Sequence, residues 1–208
     1  MTPANLDFTH LVALAAALGW ASGLRLYAVV FITGAAGYLG WVPLPEGLKL
    51  LQHPLVLGAS GLMLLVEFVA DKVPGLDTLW DAVHTLIRIP AGAALAAGVF
   101  GGLGPEWNSA WTIVAALAGG TLAATSHAAK ATTRAAVNTS PEPFSNIGMS
   151  LLGDAAVPAL LWLAWEHPLW FFPVLAAALG VAVVLIVLFF KFLRALVRRF
   201  VPDARATA

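Results

Sequence analysis

The sequence predicts an all-α, polytopic membrane helix bundle of about six transmembrane helices, with a broken first helix and a candidate 3+3 inverted repeat. Three observations predict it. Of 208 residues, 60% are hydrophobic and only 11% charged, with a mean hydropathy of +0.87, outside the range of soluble domains. Six apolar segments each approach the roughly 20 residues needed to cross a bilayer core. The few ionisable residues inside those segments fall at helical spacings rather than at random.

Composition also excludes. Cysteine is absent, so there is no disulfide framework, thiolate metal site or cysteine nucleophile. The opening MTPANLDFTH lacks the basic region of a cleavable signal, so the first apolar run is expected to stay in the mature protein. Five of the eleven Lys and Arg residues (Lys191, Arg194, Arg198, Arg199 and Arg205) lie in a basic tail over 191–208. That tail is expected in the cytoplasm, anchored on anionic headgroups. Nothing suggests nucleic acid binding, and the chain reads as one transmembrane domain over 1–208.

The first segment, Phe8 to Trp41, is too long for one straight span. Gly19-Trp20-Ala21-Ser22-Gly23 interrupts it, with Arg25 just beyond, so it reads as a broken or steeply tilted helix. The second, Pro54 to Val73, carries Glu67 and Asp71 toward its end. A Pro74-Gly75 turn leads to the third, from Leu76 to about Gly102, where Pro90 predicts a kink. On its first part Asp77, Asp81, His84 and Arg88 fall within an arc of about 60°.

The fourth segment runs from near Trp107 to Asn138, about 45 Å of helix, with His127, Lys130, Arg134 and Asn138 on its last third. The loop Thr139 to Pro143 stops it. The fifth, Phe144 to Trp165, places Asp154 mid-span. The sixth, Leu169 to about Phe192, holds no charge before Lys191 and reads as a lipid-facing wall.

With both termini inside, the inner segments hold Lys72, Lys130, Arg134 and the five tail cations, while the outer loops hold only Lys49, which fits the positive-inside rule. Trp41, Trp107, Trp111, Trp165 and Trp170 then fall at outer boundaries as an aromatic belt. The expectation is therefore a multi-pass protein of the bacterial inner membrane with cytoplasmic N- and C-termini. Ser22 with Arg25 echoes Ser126 with Lys130, and Leu64 to Glu67 echoes Leu151 to Asp154. These echoes suggest repeats 1–104 and 105–198 of inverted topology, an architecture that places a transporter's site at the repeat interface.

An ionisable group at the bilayer centre costs about 2.5–3.5 kcal/mol on insertion scales. Four such groups, Arg25, Glu67, Arg88 and Asp154, therefore carry a gross penalty of roughly 10–14 kcal/mol before pairing. Their helix faces must turn inward, toward a buried network or a hydrated cavity. Three readings follow. A carrier or channel would use Glu67 and Asp71 to gate or titrate and Asp77, Asp81 and His84 to shape a pocket. Arg25, Arg88, Lys130, Arg134 and Asp154 would complete its ion- or substrate-binding set, and no residue is assigned a catalytic role.

A metal-dependent enzyme acting on a phosphate-bearing lipid would use Asp77 and Asp81, with Glu67 and Asp71, to hold a divalent cation through hard oxygen ligands. A purely structural protein would pair Glu67 with Arg25, and Asp154 with Arg88 or Lys130. The other histidines read as interfacial. Expected partners are membrane lipids, an ion or small solute, and a second copy packed through the Gly- and Ala-rich faces of helices three and four.

The segment EFVADKVPGLDTLWDAVHTLIRIPAGA and the later SHAAKATTRAAVNTSPEPFSN resemble the bacterial domain-of-unknown-function 4126 family of small integral membrane proteins. The resemblance runs from Ala21-Ser22-Gly23-Leu24-Arg25 to Asp154. It implies the membrane fold and singles out Glu67, Asp71, Lys72, Asp77, Asp81, His84, Lys130, Arg134, Glu142 and Asn146. It carries no established activity.

Overall fold

The computed structural model describes residues 6–101, 105–138 and 144–200, with backbone alone at 105–108, 196, 199 and 200. The expected Glu142, the Thr139–Pro143 loop, the Trp107 and Arg199 side chains and Arg205 lie outside the described residues. The described residues form six α-helices: α1 (Phe8–Tyr38), α2 (Pro54–Ala70), α3 (Leu76–Phe100), α4 (Pro105–Val137), α5 (Phe144–Glu166) and α6 (Pro168–Phe200). Among the described residues there is no strand. One element was not foreseen, a 3₁₀ segment over Glu46–Gln52.

Local sequence explains the ends. The Asp7 side chain caps α1 by accepting the His10 backbone N–H at 2.9 Å, and Pro54 opens α2, where its missing N–H costs nothing. Gly75 enters α3 at φ 86°, a conformation that favours glycine. Among the described residues five helices are long and apolar enough to cross a membrane, and α2 joins them when taken with the 3₁₀ segment, to which it is bent by 69°. The chain is a membrane-spanning helical protein.

The break in α1 sits at Arg25 itself, whose φ −150° and ψ 85° are not helical. The contacts on either side show what the break does. Phe8, at the start of α1, packs on Phe100 and Trp111, with ring centroids 6.4 and 4.9 Å away. Residues 8–24 then run beside α4, and the Leu24 carbonyl reaches Lys130. Past the break, Tyr27 meets His84, Phe31 lies against Gly61, and Gly34 lies against Leu51. The 3₁₀ segment that follows bonds back to the end of α3, Gly47 N–H to Gly101 O at 3.0 Å.

Both ends of α1 therefore lie at the Phe100 end of the bundle. The helix is re-entrant: it descends, turns at Arg25 and climbs back along α2. Helices α2 to α6 then alternate in direction, so the start of α1 and the end of α6 fall at opposite ends of the bundle. This corrects the expectation of two termini on one face. The physical reason is that 31 apolar residues suffice for two half-helices of about 25 and 20 Å, at 1.5 Å per residue.

The first half of α1 packs with α3 and α4 through small residues. A Cβ placed on Gly19 would stand 2.6 Å from the Gly119 Cα, and one on Gly92 would stand 2.6 Å from the Ala123 Cβ. Small residues let helix backbones approach where lipid supplies no hydrophobic drive. The Gly- and Ala-rich faces expected to meet a second copy are thus filled within the chain. By contrast α6 turns Val181, Val183, Val184, Leu188 and Phe190 outward and buries Phe171, Leu175 and Ala182 against the bundle.

Candidate functional site

Nine of the ten expected site residues converge in the half of the bundle away from Phe100. Arg25, at the α1 tip, places Nη1 2.8 Å from Asp71 and Nε 2.9 Å from Asp154, and its Nη2 donates to the Ser150 carbonyl and hydroxyl. Arg88 bridges Glu67 at 2.6 Å and Asp81 at 2.7 Å. Lys130 bridges Asp71 at 3.1 Å and Asp81 at 3.0 Å, and donates to the Leu24 carbonyl, an orphan acceptor where the first half of α1 ends. Arg134 reaches Asp71 at 3.0 Å and Asp77 at 3.2 Å. Lys72 completes the set on Asp154 at 3.1 Å, its ammonium lying over the Phe68 ring.

The network balances. Glu67, Asp71, Asp77, Asp81 and Asp154 face Arg25, Lys72, Arg88, Lys130 and Arg134, five charges of each sign. A path of alternating sign runs Glu67, Arg88, Asp81, Lys130, Asp71, Arg25, Asp154, Lys72. Asp71 is its hub, with three cations on one carboxylate oxygen. Arg25 is 1% exposed, and Glu67 and Arg88 not at all. At such burial an unpaired charge is very costly, so neutrality and pairing are conditions of the fold.

The expected pairs differ from the observed ones. Glu67 takes Arg88 rather than Arg25, and Asp154 takes Arg25 and Lys72 rather than Arg88 or Lys130. The turn at Arg25 explains both, because it brings that side chain to the end of α2 and to the Ser150 face of α5. His84 stands aside from the charges. Its Nδ1–H donates to the Trp80 carbonyl at 2.8 Å, leaving Nε2 to accept from the Tyr27 hydroxyl.

His127, read as interfacial, is buried instead. Arg88 donates to its Nδ1 at 3.2 Å, so the proton is on Nε2, which donates to Thr85 Oγ1 at 2.7 Å; Thr85 passes its own hydrogen to the Asp81 carbonyl. Its spacing with Lys130 and Arg134 on α4 was the sequence signal. Ser150 was also missed, though it lies one turn before Asp154 on the same helix. Asn138, placed by its spacing on the face of Lys130 and Arg134, donates to both Asp77 oxygens. Asn146 is 1% exposed, yet neither of its polar side-chain atoms has a hydrogen-bond partner among the described residues.

Beside the network lies a cavity of about 580 Å³ between α1, α4, α5 and α6. Arg25, Asp71, Lys130, Arg134 and Ser150 form its charged end, and Leu160, Leu163, Ala178 and Ala182 belong to a long apolar wall. Glu67, Asp77, Asp81, His84, Arg88 and Asp154 do not line it. Among the described residues no group of three or more His, Asp or Glu side chains is arranged to hold a metal ion. Asp71, Asp77 and Asp81, offered as hard-cation ligands, each face Lys or Arg instead.

Fold and site together define a polytopic helical membrane protein built around a buried, charge-balanced ion-pair network at the tip of a re-entrant helix. The family described as Domain of unknown function (DUF4126) matches residues 12–188, and the chain belongs to that family. No curated protein and no solved structure matches it.

Proposed function

We propose that the protein is a small carrier, moving an ion or a polar or anionic solute past the Arg25–Asp71 junction. The observation that supports this is the sharing of partners. Asp71 and Asp81 each serve two or more cations, and Arg25, Arg88, Lys130 and Arg134 each serve two or more carboxylates. Such a network can exchange pairings without stranding a charge, and discrete alternative packings are what a transport cycle needs. Broken helices within the membrane also carry the binding sites of many transporters.

In this reading Asp71 is the gating group and the α1 tip is the moving part. The basic end of the bundle, with Lys72, Lys191, Arg194 and Arg198, faces the cytoplasm of a bacterial inner membrane, and the start of α1 faces outward. A passive channel would use the same path. A metal-dependent enzyme finds no support in carboxylates already occupied by cations.

Sealed proteoliposomes loaded with a pH dye, labelled sodium or labelled phosphate test the proposal. Flux above empty vesicles, reduced at least tenfold in Asp71→Asn, is expected. No flux for any of these solutes and no movement of a labelled anionic lipid between leaflets, together with a folded Glu67→Arg/Arg88→Glu double variant, would contradict it and leave the network a structural one.

A further inference from the structure

The cavity beside the network has two chemically different ends. Its charged end is lined by three cations, Arg25, Lys130 and Arg134, against one carboxylate, Asp71. From Met149 to Leu163 its α5 wall runs about 21 Å at 1.5 Å per residue, longer than the ~15 Å half-thickness of a bilayer core. Nearly all of that length is apolar, with Leu152, Ala156, Ala159 and Leu160 on α5 facing Val174, Ala178 and Val181 on α6. Its volume of about 580 Å³ lies in the range of pockets that enclose small-molecule ligands, roughly 300–1,000 Å³.

Two further observations bear on what fills it. The rim is apolar and open on the outer surface of the bundle, with Leu152 64% and Val181 59% exposed, so the cavity meets the hydrocarbon of the bilayer rather than water. One helical turn before the lining Ser150, on the same face of α5 but outside the cavity lining, the Asn146 amide is buried with no partner among the described residues, and so is the Ser145 hydroxyl. Unsatisfied buried donors are costly, and a headgroup whose acceptor oxygens reach past Ser150 to the first turn of α5 would satisfy them.

We infer that this cavity binds an anionic membrane lipid, with its phosphate at Arg25, Lys130, Arg134 and the first turns of α5, and one chain lying along the α5–α6 wall. The inference rests on the carrier reading for its site and names the class of substrate: an amphiphile taken from the bilayer rather than a hydrated ion. An aqueous solute would have no use for a wall of this length. The ammonium and guanidinium groups suit a phosphate, and of the carboxylates that pair with them only Asp71 lines the cavity, so the face turned to a ligand is the cationic one.

The test is thermal unfolding of the full chain in an uncharged detergent, titrated with phosphatidylglycerol, phosphatidylcholine or glycerol 3-phosphate. Phosphatidylglycerol is expected to raise Tm by on the order of 5 °C at saturation, with little effect from the other two. Two variants spare the ion pairs. Ala159→Trp obstructs the chain path and should abolish the shift. Asn146→Leu removes unsatisfied polar atoms, so a purely structural role predicts equal or higher basal stability, whereas the lipid site predicts an apparent Kd raised about tenfold.

Equal shifts with phosphatidylcholine, or a shift unchanged in Ala159→Trp, would mean only lipid coating the outer surface and would overturn the inference. A full shift from glycerol 3-phosphate would replace it with a small-anion site. The two proposals fail separately. Specific lipid binding without transfer between leaflets removes the carrier and leaves this site, while solute flux with no lipid effect does the reverse.

Discussion

The two sides of α4 are built differently. On one side α1 and α3 press against it backbone to backbone, with Gly19, Gly23, Gly92 and Gly119 at the contacts. On the other, α4 and α5 scarcely touch, and α6 spans the gap between them. Gly148 in α5 and Gly180 in α6 are exposed on the outer surface, and a methyl group added at either would meet nothing within 4 Å. The tight side holds the first half of α1 in place, and the loose side leaves the cavity. The ion network lies at the seam, so its members join a rigid body to a more loosely packed one.

Removing the hub should have the largest effect. Asp71→Ala leaves Arg25, Lys130 and Arg134 with one carboxylate fewer at full burial. A loss of about 3–5 kcal/mol is expected, seen as unfolding in mild detergent, whereas Asp71→Asn should retain more stability by keeping a hydrogen-bond acceptor.

The two kinds of glycine should respond with opposite sign. Gly19→Val forces its side chain against the Gly119 backbone and should cost about 1–3 kcal/mol. Gly180→Ala meets open space and should gain about 0.5–1 kcal/mol through helix propensity. Equal responses in thermal melts would contradict the close backbone approach of α1 to α4 at Gly19 and Gly119.

Smaller effects belong to the edges. Lys72 and Asp154 are partly exposed, at 21% and 20% of their side chains, so Lys72→Ala should cost about 1 kcal/mol or less. Smallest is the Asp7 cap. The His10 backbone N–H, and then its imidazole, hold that exposed carboxyl below the usual carboxylate range. A lowered folded value means the cap's contribution is present above the ordinary aspartate pKa and fades as pH falls through the lowered one. A small loss of stability confined to acid pH, absent in Asp7→Asn, is the expected result.

Helix positions were legible because each apolar run ends at a polar or glycine-proline signal, as at Pro74-Gly75 before α3. The inward turn of the charged faces was legible too, since no lipid-facing surface can carry Arg25 or Glu67. What sequence could not supply was direction. A 31-residue apolar run fits a tilted span and a re-entrant pair of half-helices equally well, and only the meeting of Phe8 with Phe100, and of Gly47 with Gly101, decides between them. Partner choice failed for the same reason. Spacing along one helix places Arg88 on a face with Asp81, and that pair formed; Glu67 with Arg88 and Arg25 with Asp154 depend on how the helices come together. His127 and Ser150 were missed because polar residues on Ala-rich helices look unremarkable until a neighbour's charge is known.

The central claim is that α1 enters and leaves at one face and carries Arg25 to the network at its tip. Because the chain has no cysteine, single cysteines at Asp7, Leu50 and Ala195 can be tested without background. Membrane-impermeant maleimide applied to sealed, oriented vesicles should label positions 7 and 50 from the same side, and position 195 from the other. Labelling of 7 and 50 from opposite sides would make α1 an ordinary span and contradict the account.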